Sequence, residues 1–357
     1  MPDGAQATAP VGPPAAMVVS GMEEQVHAAT LPPAARRNHR LPLPEASILP
    51  VGESAAQRGA GERGRGHQEQ GDGPLRTGDS PQHGGADPIG TRARMPLDLV
   101  TGGSRGIGRA IVERLARDGA DIAFIYRRDA QAAAEVEAAV RARGRSATAL
   151  RADLGAPAEV AAALDRLGDT PVDFFVANAA ATAFRPLLEM KPHHLEKTYA
   201  ITIGAFLQIV QHIAPRMPPS GRIVTISGMD THRYVAGHGI LASAKAALEA
   251  LTRYLAVELG PRGITVNAVN PGYVDTDSVA MYLADEAGRK AFFEEIEGAT
   301  PLRALGQPEE VAALVAFLCS ADAAWMQGQV LYLDGGVFLH APGHSVRWWR
   351  QTGRWPR

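Results

Sequence analysis

The sequence predicts an α/β protein in which a parallel β-sheet is covered by helices on both faces, the doubly wound arrangement. Three observations carry this prediction. From residue 95 onward, short apolar runs alternate with helical segments. The runs are apolar throughout, as expected for strands that are buried on both faces. A glycine-rich turn separates the first run from the first helix.

Seven apolar runs, most of them rich in Val, Ile, Leu or Phe, predict the strands. They cover residues 97–100, 122–126, 147–151, 172–176, 222–226, 264–269 and 330–333. The segments between them have apolar residues at helical spacing or are rich in Ala and Glu. They predict a helix that begins near Ile107 and helices at residues 130–143, 157–167, 201–217, 243–259 and 311–318. This order is that of a Rossmann fold in a single domain without internal repeats.

The glycine-rich turn has the sequence Thr101-Gly102-Gly103-Ser104-Arg105-Gly106-Ile107-Gly108. Gly102 permits a tight turn off the strand, and Gly106 and Gly108 permit close approach to the first helical turn. The N–H groups and the positive dipole end of that helix would then hold a diphosphate. The alternative is a plain strand-to-helix loop.

Composition bounds the rest of the chain. It has 357 residues and a formal net charge of -2, which does not favour a nucleic-acid or membrane-surface partner. Residues 1–94 contain no aromatic residue and are dense in Pro and Gly, so we expect a disordered extension. The alternative is that Met95 is the true start. The single cysteine, Cys319, suits a buried thiol in a reducing cytoplasm, and no metal site is predicted.

Charge at the end of the second strand predicts the cofactor. A carboxylate there would accept hydrogen bonds from the ribose hydroxyls of NAD(H). Here the strand ends in Tyr126-Arg127-Arg128, Arg105 lies in the glycine turn, and the first carboxylate, Asp129, comes later. Two arginines suit a ribose phosphate, which favours NADP(H) over NAD(H). Asp153, at the end of the third strand, is predicted to contact the adenine.

Several motifs together resemble one family over residues 95 to about 336. They are the turn at 101–108, Asn178-Ala179-Ala180, Lys245, the stretch from Asn270 to Thr276, and Leu333-Asp334-Gly335-Gly336. Their order and spacing resemble the short-chain dehydrogenase/reductase family. Phe184-Arg185-Pro186-Leu187 and the helix from Lys245 to Leu259 are most similar to its NADPH-dependent enoyl-acyl-carrier-protein reductase III branch.

The resemblance implies roles for individual residues. Asn178 would lie beside the adenosine ribose, Lys245 would hold the nicotinamide ribose, and Thr276 would contact the carboxamide. The whole expected cofactor set is Thr101, Gly102, Ser104, Arg105, Gly106, Ile107, Gly108, Arg127, Arg128, Asp153, Leu154, Asn178, Ala179, Lys245, Pro271, Gly272, Val274 and Thr276.

The chain departs from the family at the catalytic positions. The usual tyrosine, four residues before the lysine, is Leu241, and the usual serine falls at Gly228, with Ser227 adjacent. The usual asparagine of the middle helix is also replaced, near Ala200 and Ile201. Enoyl reductases of the family often place their tyrosine seven residues before the lysine. That position is His238, which would share a helix face with Lys245 if the helix begins early enough.

The catalytic candidates are therefore Lys245, His238, Ser227 and Tyr234. His238 is the expected donor and Tyr234 the second choice; the alternative for His238 is a solvent-exposed side chain in a loop. Reduction of a ketone builds an alkoxide that needs a matched acid. Reduction of an enoyl thioester builds an enolate that needs only a hydrogen-bond donor, so the substitution suits an enoyl better than a keto substrate.

Two hypotheses follow. The first is an NADP(H)-dependent oxidoreductase for an enoyl or keto acyl thioester of fatty-acid or polyketide-type metabolism. The second is a degenerate member that binds the nucleotide and acts as a partner or regulatory subunit.

Residues 278–300 are predicted to form a helical substrate lid through Val279, Met281, Tyr282, Leu283, Phe292 and Phe293, and residues 341–357 a C-terminal tail. The expected partners are a second copy in a homodimer or homotetramer and an acyl carrier protein.

Overall fold

A computed structural model describes residues 95–276 and 286–339, which contain a seven-stranded parallel sheet. The strands are β1 (Leu97–Thr101), β2 (Asp121–Tyr126), β3 (Ala147–Arg151), β4 (Phe174–Ala177), β5 (Arg222–Ile226), β6 (Thr265–Pro271) and β7 (Val330–Leu333). Their order across the sheet is β3-β2-β1-β4-β5-β6-β7, and every neighbouring pair is parallel. The predicted doubly wound α/β class is confirmed.

Eight described α-helices accompany the strands. They are α1 (Gly106–Arg117), α2 (Ala130–Arg141), α3 (Pro157–Asp165), α4 (Pro192–Tyr199), α5 (Ala205–Ile213), α6 (Gly239–Leu259), α7 (Glu286–Ala299) and α8 (Pro308–Cys319). A π-helical turn, Ala200–Gly204, joins α4 to α5. Among these helices none is both long and apolar enough to span a bilayer.

The sheet buries apolar side chains on both faces, which gives two core layers. Val100, Phe124 and Val176 point to the layer made with α1, α2 and α8. Their strand neighbours Leu99 and Phe175 point to the layer made with α3, α5 and α6. Adjacent strand residues therefore serve opposite layers, which explains the continuous apolar runs in the sequence.

The point where the strand order reverses lies between β1 and β4. From β1 the chain proceeds outward through β2 and β3, and from β4 it proceeds in the opposite direction. Leu99 pairs with Phe175 and Val100 with Val176 across this boundary. Open parallel sheets bind ligands outside the carboxyl ends of the strands at such a point. The turn at residues 101–108 and Asn178 both follow strands here.

The structure also differs from the predicted elements in informative ways. Helix α6 begins at Gly239, four residues earlier than predicted, so that His238 directly precedes it. The predicted helix from residue 201 begins with the π-helical turn. Helix α4 was not predicted because its sequence, PHHLEKTY, has no apolar periodicity and only Thr198 is buried.

Several predictions fall partly or wholly outside the described residues: the extension at residues 1–94, the first part of the predicted lid, residues 278–285, and the tail at residues 341–357. The later part of the predicted lid is helix α7, in which the Phe292 ring packs 5.9 Å from that of Tyr273. Cys319 is a buried free thiol, and burial raises its pKa well above the ordinary value. The described residues include no cluster of side chains suited to a metal ion.

Candidate active site

The glycine turn forms a close-packed cradle at the start of α1. Gly102 and Gly106 have φ values of +71° and +52°, in the left-handed region that favours glycine. A Cβ atom on Gly108 would lie 2.1 Å from the carbonyl oxygen of Gly102, so only glycine fits there. Arg105 makes no side-chain cap, and the first turn of α1 has no acidic residue. Within this fully described helix, the first N–H groups are thus available to an anion.

Side chains from the ends of β1 and β4 hold the cradle in shape. The backbone N–H groups of Asn178 and Ala179 both donate to Thr101 Oγ1, each at 3.0 Å. The Asn178 amide Nδ2 donates to the Thr101 carbonyl, also at 3.0 Å. Nδ2 would also lie 2.6 Å from a Cβ atom on Gly108. Asn178 therefore supports the turn itself, whatever contact it makes with a ribose.

The basic groups at the end of β2 remain at the surface. Arg105, Arg127 and Arg128 are exposed. The Asp129 carboxylate accepts a hydrogen bond from the Ala132 N–H at 2.9 Å and caps α2, so it is already engaged. Of the remaining predicted residues in this region, Leu154 is buried, and Ser104, Ile107 and Asp153 are half-buried.

The segment after β6 forms the other side of the cradle. Pro271 is buried at the end of β6, and the Gly272 N–H donates to the Leu333 carbonyl at 3.0 Å. Val274 is buried and pairs with Gly306. The Thr276 methyl lies 3.6 Å from the position of a Cβ atom on Gly106. The predicted residues from both ends of the domain therefore meet at one place.

Lys245 is buried on α6 and donates from Nζ to the Ile226 carbonyl at 2.5 Å. Burial lowers the pKa of Lys245 to about 8, and the negative charge of Asp230 opposes that shift. Ile226 ends β5, so the ammonium group lies at the carboxyl edge of the sheet. This is the side on which the cradle lies.

His238 lies at the start of α6 and contacts a carboxylate. Its Nδ1 atom is 3.1 Å from Asp230 Oδ2, and its ring centroid is 4.9 Å from that of Phe184. The His238 side chain is 19% exposed, so it is largely enclosed rather than lying in a solvated loop. The structure thus pairs Asp230 with His238, and the charge of the same carboxylate acts on Lys245.

The other two catalytic candidates face elsewhere. The Ser227 hydroxyl donates to Glu249 Oε1 at 2.5 Å, inside the protein. Tyr234 is 93% exposed. Neither hydroxyl is grouped with His238 and Lys245 in this structure.

A buried acid that the sequence reasoning missed explains the orientation of Ser227. Glu249 Oε1 also accepts hydrogen bonds from Thr231 Oγ1 at 3.2 Å and from Asn270 Nδ2 at 2.9 Å. Available signals were the four-residue spacing between Lys245 and Glu249 on one helix and an asparagine within an apolar strand. This network ties the loop after β5 to α6 and β6.

Comparisons with known proteins agree with this geometry. A family model described as enoyl-(acyl carrier protein) reductase matches residues 102–338. A 1-cyclohexenylcarbonyl-CoA reductase of Streptomyces collinus is 35% identical over 71% of this chain and 90% of its own. A hydroxynaphthalene reductase of Aspergillus fumigatus is 34% identical over 68% of this chain and 93% of its own.

Similar solved structures include two that hold NADP or NADPH. A short-chain dehydrogenase from Burkholderia cenocepacia in complex with NADP is 38% identical, with a TM-score of 0.63 over 70% of this chain and 100% of that one. A blue fluorescent protein from a metagenomic library, in complex with NADPH, is also 38% identical. Its TM-score is 0.62 over 68% of this chain and 97% of that one.

Proposed function

The chain belongs to the short-chain dehydrogenase/reductase family of oxidoreductases, and from this premise we propose that it uses NADPH to reduce an enoyl acyl thioester. One observation carries the proposal. The nucleotide cradle and Lys245 are intact, while His238, seven residues before Lys245, is paired with Asp230 near positions 228 and 241, where the usual serine and tyrosine are replaced by Gly228 and Leu241. The cradle and Lys245 would still bind NADPH for hydride transfer. A single hydrogen-bond donor, His238, would replace the usual serine and tyrosine.

The residues present fit NADPH. The cradle suits a diphosphate because Gly108 lets the first turn of α1 pack tightly against Gly102, and the first N–H groups of that helix have neither a side-chain cap nor an acidic neighbour in the first turn. Asp129 caps a helix and is not turned toward a ribose, whereas Arg105 and Arg127 are exposed beside the cradle. Two similar solved structures hold NADPH or NADP. When bound, NADPH supplies the hydride that reaches the β-carbon of the substrate.

The arginines carry a direct prediction about the cofactor. Replacing Arg105 or Arg127 with Ala is expected to raise the Kd for NADPH about 10-fold or more, because a charge-assisted bond to phosphate is lost. The Kd for NADH is expected to change little, since NADH lacks that phosphate. Fluorescence titration with both cofactors checks this, and Arg117→Ala, at the far end of α1, is the control. Equal weakening for both cofactors would show that the arginines do not recognise the phosphate.

In the proposed reaction, the side chains of the protein stabilise an oxyanion. Hydride addition to the β-carbon moves electrons onto the thioester oxygen, where negative charge develops. His238 donates a hydrogen bond to that oxygen, and water supplies the proton at the α-carbon. Lys245 holds the ribose and keeps a positive charge near the reacting groups. A ketone would instead require full protonation of an alkoxide, for which Leu241 offers nothing.

Partners are part of the proposal. The acyl group would arrive on coenzyme A or on an acyl carrier protein. The chain would self-associate, because large apolar side chains lie exposed on α6 and in or shortly before the edge strand β7. These are Tyr254, Val257, Trp325 and Tyr332.

A small panel of thioesters tests the proposed function. NADPH oxidation is measured with enoyl and β-keto thioesters of several chain lengths, and NADPH binding is measured separately by thermal shift. Reduction of an enoyl thioester supports the proposal, whereas reduction of β-keto thioesters alone contradicts it. Tight NADPH binding without turnover on any thioester would favour the second hypothesis, a nucleotide-binding partner subunit. That alternative rests on Leu241 and Gly228 at the usual tyrosine and serine positions.

A further inference from the structure

We propose that Asp230 is a positioning residue, which fixes the tautomer and the orientation of the His238 ring. The inference rests on the proposed function, because it assigns a role within the same site.

The space for the Asp230 carboxylate exists because residue 228 is glycine. A Cβ atom on Gly228 would lie 2.8 Å from Asp230 Oδ1, closer than such atoms approach. The Gly228 backbone is extended, with φ of -170°, so any residue could adopt it. The glycine is therefore required by the neighbouring carboxylate and not by the backbone. Gly228 and Asp230 form a complementary pair.

The loop that carries Asp230 is anchored on either side. Asp230 lies in a short 3-10 turn, Met229–Thr231, directly after β5. Ser227 and Thr231 both donate to Glu249, and the Thr231 hydroxyl is also 3.0 Å from the Gly228 carbonyl. The residues on both sides of Asp230 thus face Glu249, while Asp230 contacts His238. Its side chain is 6% exposed, and a carboxylate so enclosed requires a partner.

The His238 ring is held by its surroundings as well as by Asp230. The Phe184 ring packs against it, and the Arg185 N–H donates to the Gly237 carbonyl at 3.2 Å. A Cβ atom on Gly239 would lie 2.6 Å from Leu187, so the same loop also packs against the start of α6. The elements packed around the ring carry several charged or titratable side chains: Asp230, His232 and Arg233 in the loop after β5, Lys245 and Glu249 on α6, and Arg185 and Glu189 in the segment before α4. His232 Nε2 lies 3.6 Å from Glu249 Oε2.

The contact with Asp230 decides which ring nitrogen carries a proton. An ionised carboxylate only accepts hydrogen bonds, so Nδ1 must be the donor to Asp230. A neutral ring in this tautomer has no proton on Nε2, and only the charged ring can donate from Nε2 to a substrate oxygen. Activity of the wild type is expected to fall as the pH rises through the pKa of Lys245, about 8, because the buried ammonium then loses its charge.

Asp230→Asn tests this role because an amide can donate to Nδ1 and release the other tautomer. On a reducible enoyl thioester, kcat is expected to fall roughly 10- to 100-fold, part of the usual contribution of a positioned acid, because the carboxylate that orients the ring is lost. The Kd for NADPH should be unchanged. Asp169→Asn, at an exposed position in the loop before β4, is the matched control.

Two further measurements keep the test independent of folding and of the substrate. Imidazole nitrogen NMR shifts of the neutral His238 ring should report a proton on Nδ1 in the wild type and a larger Nε2–H fraction in Asp230→Asn. Gly228→Ala should act like Asp230→Asn, because the methyl group displaces the carboxylate. An unchanged tautomer in both variants, or unchanged kcat in Asp230→Asn, would overturn the role of Asp230. Absence of any reducible thioester would instead overturn the proposed function, and the NMR result would still stand.

Discussion

His238→Ala is expected to lower kcat on a reducible enoyl thioester by about 100-fold or more, the usual scale for loss of a positioned acid. The reason is geometric: among Lys245, Asp230 and His238, the imidazole is the group enclosed at the start of α6 and held by a carboxylate. The Kd for NADPH should stay the same, because the glycine cradle and Lys245 are untouched. Steady-state kinetics and a cofactor titration on the same preparation measure both quantities.

Companion variants sharpen this prediction. His238→Tyr should retain activity, since a phenol can donate a hydrogen bond from the same position. His193→Ala, which removes an exposed imidazole on α4, should behave like the wild type. If His238→Ala turned over as fast as the wild type, the donor would have to be sought elsewhere, beginning with Tyr234. Lys245→Ala should weaken both NADPH binding and turnover, which separates its role from that of His238.

Gly108→Ala is expected to abolish useful nucleotide binding, with at least about a 100-fold rise in the Kd for NADPH. The added methyl would lie 2.1 Å from the Gly102 carbonyl oxygen and 2.6 Å from Asn178 Nδ2. Neither group can move away easily, because the Asn178 amide is hydrogen-bonded to the Thr101 carbonyl and Gly102 forms a tight turn with a positive φ. Overpacking of this kind costs roughly 1–3 kcal/mol of stability, so the melting temperature should fall as well.

Gly204→Ala is the matched control for the effect of one added methyl. Gly204 is exposed in the π-helical turn, and the nearest atom to its added Cβ is 3.9 Å away. This variant should bind NADPH and melt like the wild type. NADPH affinity in Gly108→Ala equal to that of Gly204→Ala would contradict the tight cradle described above.

The sheet was predictable from sequence because its strands are buried on both faces. Such strands are short, largely apolar runs, as in β1 (Leu97–Thr101), and this pattern differs from the periodic pattern of the helices between them. Helix α4 escaped prediction because it buries only Thr198 and leaves no apolar stripe. The early start of α6 was also missed: glycines at 237 and 239 favour a loop in the sequence, whereas in the structure Gly239 begins the helix and packs closely against Leu187.

Part of the candidate site was also predictable from the sequence and part was not. The cradle and Lys245 could be located because their residue types and spacing are required by the turn and the helix dipole. The orientation of Ser227 could not, since its partner Glu249 comes from another element. Asp230 was visible only as one polar residue near His238. In the folded loop, Asp230 Oδ1 lies where it would contact a side chain at position 228. The spacing of these residues in the sequence does not predict that contact.

The pairing of Gly228 with Asp230 also constrains the order of mutational steps between this protein and a serine–tyrosine enzyme. A serine introduced at position 228 would meet the Asp230 carboxylate at 2.8 Å before it could serve any substrate. Removing Asp230 first would leave His238 without its partner while Leu241 still offers no hydroxyl. The effects of changes at positions 228 and 230 are therefore expected to be non-additive, as is usual for residues in direct contact. A serine at position 228 is thus expected to be tolerated better when Asp230 is replaced as well.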